Sequence, residues 1–144
     1  MTSRPGSPGV ERVAAGANVI LSAVAGKAAL KVFTQSYISV VTTRKTLLEV
    51  REYLPEMAEQ YGLPPEILEA QLGLLALEAF SEEAYARKIK EALKRIGRRD
   101  VDDADLLALS MTLHVPVWSN DTDFSQAGVK WYTTAQLLKA LRIR

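Results

Sequence analysis

Two groups of aspartates are the side chains of this sequence best placed to do chemistry. Asp100, Asp102, Asp103 and Asp105 open the stretch RDVDDADLLALSMTLHVPVWSNDTDF, residues 99–124, and Asp121 and Asp123 close it. Carboxylates are hard oxygen donors. Hard divalent cations draw their ligands from oxygen, and Mg²⁺ commonly takes one or two carboxylates and keeps several waters. A divalent-metal site is therefore the first chemistry these residues point to. Composition narrows the field further. The chain has no cysteine, which excludes disulfides and thiolate metal sites. Its single histidine, His114, removes any site that needs two imidazoles.

The elements between the two groups must bring them together. From about residue 102 to 114 the sequence reads as a helix that is apolar on almost every side, which places it inside a domain. VPVW then reads as a buried strand over 116–119, with Pro116 at its first position, where a missing N–H costs least. If helix and strand pack as neighbours, the two acidic groups converge at one end of a sheet. Open α/β sheets bind ligands outside the carboxyl ends of their strands, and Asp121 stands just past such an end.

Further elements follow from periodicity and punctuation. Residues 11–15, 36–42, 75–80 and 129–133 read as strands, the second rich in β-branched and aromatic residues. Helices are expected from Asn18, which can cap a first turn, over 27–34, from the Thr43 cap to about Gln60, and from Pro65. Ser81 reads as the cap of another, with Tyr85, Ile89, Leu93 and Ile96 as its apolar stripe. Thr133 and Gln136 make a capping box for a last helix over 135–141. Strands alternating with helices argue for an α/β fold, a three-layer α/β/α sandwich with a mainly parallel central sheet.

With 144 residues, 48% hydrophobic and 24% charged, the chain suits one soluble domain with a real core. Residues 1–10 read as a flexible N-terminal arm and 11–144 as a single domain. The opening MTSRPGSPG lacks the apolar core of a signal peptide, and no apolar run approaches the roughly 20 residues that span a bilayer. No membrane association and a cytoplasmic location are the expectation. A net charge of +1 gives no global attraction to nucleic acid, so any such binding needs a local basic patch.

Residues 99–124 closely resemble the second half of the PIN-domain nucleases. In that family an acidic motif opens a buried helix, and a following strand ends in T/S-x-D-x-D-F, here Ser119 to Phe124. ANVILSAVAGKAALKVF resembles the family's opening, and TLLEVREYL the helix that carries its second acid. The resemblance implies carboxylates that bind one or two Mg²⁺ or Mn²⁺ ions and cleave single-stranded RNA. It makes Glu49 the second acid, Asp103 the third and Asp121 the fourth, with Asp123 assisting. Asn18, Ser22 and Ser119 match the polar residues beside them. The first acid is the departure: Gly16 stands where the pattern has Asp. Small single-domain relatives act as toxins, so an antitoxin partner and a homodimer are implied in the same way.

Plainer roles stand beside these. Asp103 suits the positive end of a helix, and Asp121 and Asp123 suit a turn. Glu49 shares a helix side with Glu52 and Glu56, as a solvated face would. Lys27, Arg44 and Lys45 are the candidates for RNA phosphate contact. The basic run over 87–99 reads as a solvated helix face, and Trp118 and Trp131 as core. The expected function is a metal-dependent endoribonuclease of PIN toxin type. The alternative, favoured by Gly16, is a catalytically impaired PIN-fold module that binds RNA or a protein.

Overall fold

The computed structural model describes residues 9–97 and 101–144. Side chains along a strand point alternately to its two faces, and that alternation sorts the core into two halves. The strands are β1 (Arg12–Ala15), β2 (Ser39–Thr43), β3 (Leu77–Phe80), β4 (Val117–Trp118) and β5 (Trp131–Tyr132). They lie in the order β3-β2-β1-β4-β5, and every pairing is parallel. Val13, Ala15, Val40 and Trp118 face one layer of helices: α1 (Ala17–Val24), α2 (Leu30–Gln35), α3 (Arg44–Tyr61), α4 (Pro65–Leu74) and α7 (Thr134–Ala140). Ala14, Val41 and Val117 face the other layer, made by α5 (Ala86–Ile96), α6 (Val101–Leu113) and the 3-10 turn Thr122–Gln126. This is the three-layer sandwich that the sequence led us to expect.

The register puts Ala14 beside both Val41 and Val117. Ala14, the residue of this central strand that faces α6, is small enough to let the helix approach closely. Leu106, Leu107, Ala108, Leu109 and Ser110 of α6 are all buried, as expected of a helix without a polar side. Trp118 is fully buried; its ring lies 5.7 Å from that of Phe33, and its indole N–H donates to Thr134 Oγ1 at 3.0 Å. Pro116 stays outside β4, where it costs no ladder donor, while its carbonyl accepts from Ala14 N–H at 2.9 Å.

Several boundaries move. Asn18 is not a cap: Gly16 is the N-cap of α1, and Asn18 lies inside the helix with its side chain engaged elsewhere. Ser81 opens only the short 3-10 turn Glu82–Ala84, and α5 begins after Tyr85. The stripe of α5 buries Tyr85, Ala92 and Ile96, whereas Leu93 is 38% exposed. The small Ala92 permits the close α5–α6 approach that Leu93 would block. The helix expected over 27–34 is Leu30–Gln35, because Gly26 adopts φ +77° and turns the chain first. Thr43 does cap α3, accepting from Thr46 N–H at 2.9 Å, and Gly62 ends it at φ +65°. The capping box of Thr133 and Gln136 is present. Of the arm expected over 1–10, residues 1–8 lie outside the described residues, and Val10 is already buried in the core. Among the described residues, no helix is long and apolar enough to cross a membrane.

Candidate metal centre

The strand order reverses between β1 and β4, since β2 and β3 lie to one side of β1, and β4 and β5 to the other. Such a switch point opens a crevice at the carboxyl ends of the strands. Gly16 follows β1 there, and Ser119 follows β4. Ser119 is buried; its Oγ accepts from Asn18 Nδ2 at 3.3 Å and from Asp121 N–H at 3.0 Å. Asn18 Oδ1 accepts in turn from Asn120 N–H at 3.2 Å. Asp121 Oδ1 accepts from Asp123 N–H at 2.9 Å, the local bond by which aspartate opens a turn. Two more bonds pin the loop from below: Asn120 Oδ1 accepts from Thr134 N–H at 2.8 Å, and Trp131 Nε1 donates to Ser119 O at 2.8 Å. The loop after β4 is thereby fixed to α1, β5 and α7.

Asp103 comes from the first turn of α6 on the facing side. Carboxylate oxygens of Asp103, Asp121 and Asp123 all lie within 4.8 Å of one another, and all three residues are half-buried. Oδ2 of Asp103 is among the buried atoms. The donor set is all hard oxygen, as Mg²⁺ and Mn²⁺ prefer. Octahedral ligands at about 2.1 Å stand roughly 3 Å apart in adjacent positions and roughly 4 Å apart in opposite ones. Side-chain rotations that shift these oxygens by about 1–2 Å would suffice, so the residues fit such an ion. Without a cation, three carboxylates this close repel one another.

Among the described residues, the group that meets within 4.8 Å does not include Glu49, which lies half-buried on α3 and lines an acidic groove with Glu52, Tyr53 and Glu56. Gly16 is buried, and a Cβ built there would meet Leu106 Cδ2 at 3.3 Å and Ser119 Oγ at 3.6 Å. Ser22 lies one turn beyond Asn18 on α1, half-buried, and its carbonyl accepts from Lys27 N–H at 3.0 Å. Lys27 is exposed, with its ammonium 5.9 Å from the centre of the Tyr61 ring. Arg44 is exposed at the start of α3. Asp100 lies outside the described residues, as does the side chain of Asp102.

Lys45 and Asp105 belong to an arrangement that reading the sequence missed. Asp105 is buried and turned inward. Its Oδ2 accepts from the Tyr85 hydroxyl at 2.6 Å, and its Oδ1 from Lys45 Nζ at 3.3 Å. Burial, and then the bond and charge of Asp105, hold the Tyr85 proton well above the ordinary tyrosine range. Nothing local marks this trio, because its members are separated by 20 and 60 residues.

A family model described as PIN domain matches residues 15–142 of the chain. Among solved structures, the chain is similar to a crystal structure described as VapBC2 from Rickettsia felis bound to a DNA fragment from their promoter. The TM-score is 0.62 and the identity 12%, over 85% of this chain and 98% of that one. At that identity the likeness speaks for the fold alone. A search of curated proteins gives no match.

Proposed function

Because this chain belongs to the PIN-domain family, we propose that it is a metal-dependent endoribonuclease acting on single-stranded RNA. The observation that carries this reading is the convergence of Asp103, Asp121 and Asp123 within 4.8 Å at the carboxyl edge of a parallel sheet. Asp103 and Asp121 would hold a Mg²⁺ or Mn²⁺ ion, with Asp123 assisting. Glu49, on α3, would serve as a further ligand. When bound, the ion supplies Lewis-acid polarisation of a phosphodiester and lowers the pKa of water.

The chain's own residues supply position. Ser119 and Asn18 lock the loop that carries Asp121, which keeps the carboxylate in place before any ligand arrives. Lys27 and Arg44, both exposed, are the proposed contacts to RNA phosphates, and Lys45 is a third, anchored by Asp105. An antitoxin partner and a homodimer complete the proposal. Large apolar side chains left exposed on α3 and α4, Leu48, Tyr53, Ile67 and Leu74, suit contact with protein.

A specific observation favours a second reading, a PIN-fold module impaired in cleavage. Gly16 stands beside Ser119 Oγ, where the family pattern has its first acid. One experiment separates the two. Purified protein is incubated with single-stranded RNA and Mn²⁺, alongside Gly16→Asp and Asp121→Asn. Cleavage by the natural chain that Asp121→Asn abolishes establishes the nuclease. An inert natural chain with cleavage gained in Gly16→Asp establishes the impaired module. RNA left intact by all of them removes both the nuclease and its lapsed form.

A further inference from the structure

Among the described residues, Asp105 is the one charged residue that is buried. It is followed at once along α6 by Leu106, Leu107, Ala108 and Leu109, all of them buried. Stability is a weak reason for a carboxylate there. Charges taken out of water regain little by pairing, and a well-packed apolar residue in such a place commonly serves as well or better. What Asp105 does is hold other groups. Its Oδ2 accepts from the Tyr85 hydroxyl at 2.6 Å and its Oδ1 from Lys45 Nζ at 3.3 Å. The lysine side chain is 48% exposed and the aspartate side chain 6%. The ion pair is neutral as a whole, yet it turns its positive end to solvent.

The backbone that carries Lys45 is also fixed. Lys45 is the second residue of α3, whose N-cap Thr43 accepts from Thr46 N–H at 2.9 Å, with the two threonine hydroxyls 2.8 Å apart. Thr42 Oγ1 donates to the carbonyl of Ala15 at 2.8 Å, and Ala15 is the last residue of β1, directly before Gly16. The start of α3 is thereby tied to the crevice. Asp121 and Asp123 flank that crevice from the end of β4 and Lys45 from the end of β2, with β1 between them. At about 4.8 Å between neighbouring strands, the ends of β2 and β4 stand about 10 Å apart, within reach of neighbouring phosphates of one strand. Glu49, four residues on along α3, opposes a phosphate there, and so do the three carboxylates when no cation is bound.

We infer that Asp105 and Tyr85 are positioning residues: they hold the Lys45 ammonium on the β2 side of the crevice, where it binds an RNA phosphate next to the one at the carboxylates. This rests on the reading that the chain binds single-stranded RNA, and not on whether it cuts it. The tyrosine hydroxyl orients the carboxylate, the carboxylate orients the ammonium, and the ammonium meets the strand. A long, flexible lysine held in place beforehand loses less freedom when the phosphate arrives.

The test is RNA binding by the full chain, read as fluorescence anisotropy of an end-labelled single-stranded oligoribonucleotide. It is run in EDTA and again in Ca²⁺, which takes oxygen ligands, with each variant held well below its melting temperature. Lys45→Met is expected to weaken binding about three- to tenfold and to lower the salt slope by about 0.7, the loss of one phosphate contact on a single strand. Asp105→Asn makes the chain one unit more positive, so charge alone would tighten binding, whereas loss of position is expected to weaken it about threefold or more. Tyr85→Phe changes no charge at neutral pH and is expected to weaken it as well; it carries the test if Asp105→Asn does not fold. In the Lys45→Met background neither substitution should weaken binding further, whereas general damage to the fold would. A natural chain that binds the RNA in neither condition overturns the reading and this inference together. The inference alone is overturned if the RNA binds and Lys45→Met binds it equally. It also falls if Asp105→Asn and Tyr85→Phe both bind at least as tightly as the natural chain, or if their losses persist undiminished without Lys45.

Discussion

Neutralising Asp121 should change the protein's stability in opposite directions with and without a divalent ion. Two unit charges 4.8 Å apart repel by about 1 kcal/mol in water and by about 3–4 kcal/mol at an effective dielectric constant near 20. The three carboxylates are half-buried, so solvent screening favours the lower figure. Asp121 has two such neighbours, and Asp121→Asn should therefore relieve about 2 kcal/mol. The asparagine keeps an Oδ1 that can accept from Asp123 N–H, so the turn bond need not be lost. For a chain of this length about 1 kcal/mol corresponds to about 3 °C of melting temperature. In EDTA the variant should melt about 6 °C above the natural chain. An ion at a hundred times its dissociation constant stabilises by about 2.7 kcal/mol, and so raises the natural chain by about 8 °C. The variant, with a ligand lost, should gain little. The order of melting temperatures then reverses between EDTA and saturating Mn²⁺, which differential scanning fluorimetry reads directly. If Mn²⁺ leaves the natural chain unmoved, or if Asp121→Asn melts lower in EDTA as well, Asp121 is a structural turn residue and the metal-site reasoning fails.

Three other outcomes follow from the hydrogen bonds and the core. Tyr85→Phe leaves buried Asp105 without its hydroxyl donor and should cost about 1–3 kcal/mol in urea unfolding at neutral pH. Because the fold holds the Tyr85 proton above its ordinary pKa, the unfolded chain loses that proton first. The natural chain should lose stability as pH rises past about 10, and Tyr85→Phe should lack that one-proton share of the slope. Asn18→Ala removes the bonds to Ser119 Oγ and Asn120 N–H. A loss of about 1–2 kcal/mol in urea and a several-fold weaker Mn²⁺-induced melting shift are expected; unchanged Mn²⁺ affinity would show that the loop needs no such lock. Leu107→Ala empties a fully buried position on α6 and should cost about 2–5 kcal/mol by chemical denaturation.

The unit from α6 through β4 to the acidic turn was the most legible part of the sequence. A helix without a polar side and a short apolar run have few places to go but the interior. A parallel sheet then sends Asp103 and Asp121 to the same edge. What escaped was set by distant partners. Asn18 has the chemistry of a cap, but Ser119, 101 residues away, offers its amide a buried hydroxyl acceptor, and the cap falls two residues earlier, at Gly16. The stripe of α5 is fixed by close approach to α6, which favours Ala92 over the larger Leu93. Asp105 looked like one more acid at a helix start, and only the fold shows it turned towards Tyr85 and Lys45. Glu49 shares a groove with Glu52 and Glu56, as their spacing on one side of a helix led us to expect.

Gly16 is where charge and geometry part company. Its backbone, at φ −85° and ψ 172°, is extended and open to any residue, so no turn demands glycine there. A Cβ would press on the flexible end of Leu106 at 3.3 Å, a contact that a few tenths of an ångström relieves. Aspartate would also serve as an N-cap for α1 at least as well as glycine does. The backbone thus admits a side chain at this position, while the loop beside it is locked in place by Ser119, Asn18 and Asn120. On the proposed reading, an ion of charge +2 facing three carboxylates leaves a net −1, and facing four a net −2. The fourth acid would hold the ion more tightly but repel an incoming phosphodiester more strongly. On that reading, glycine at this position would shift the balance from retaining the ion towards admitting the RNA.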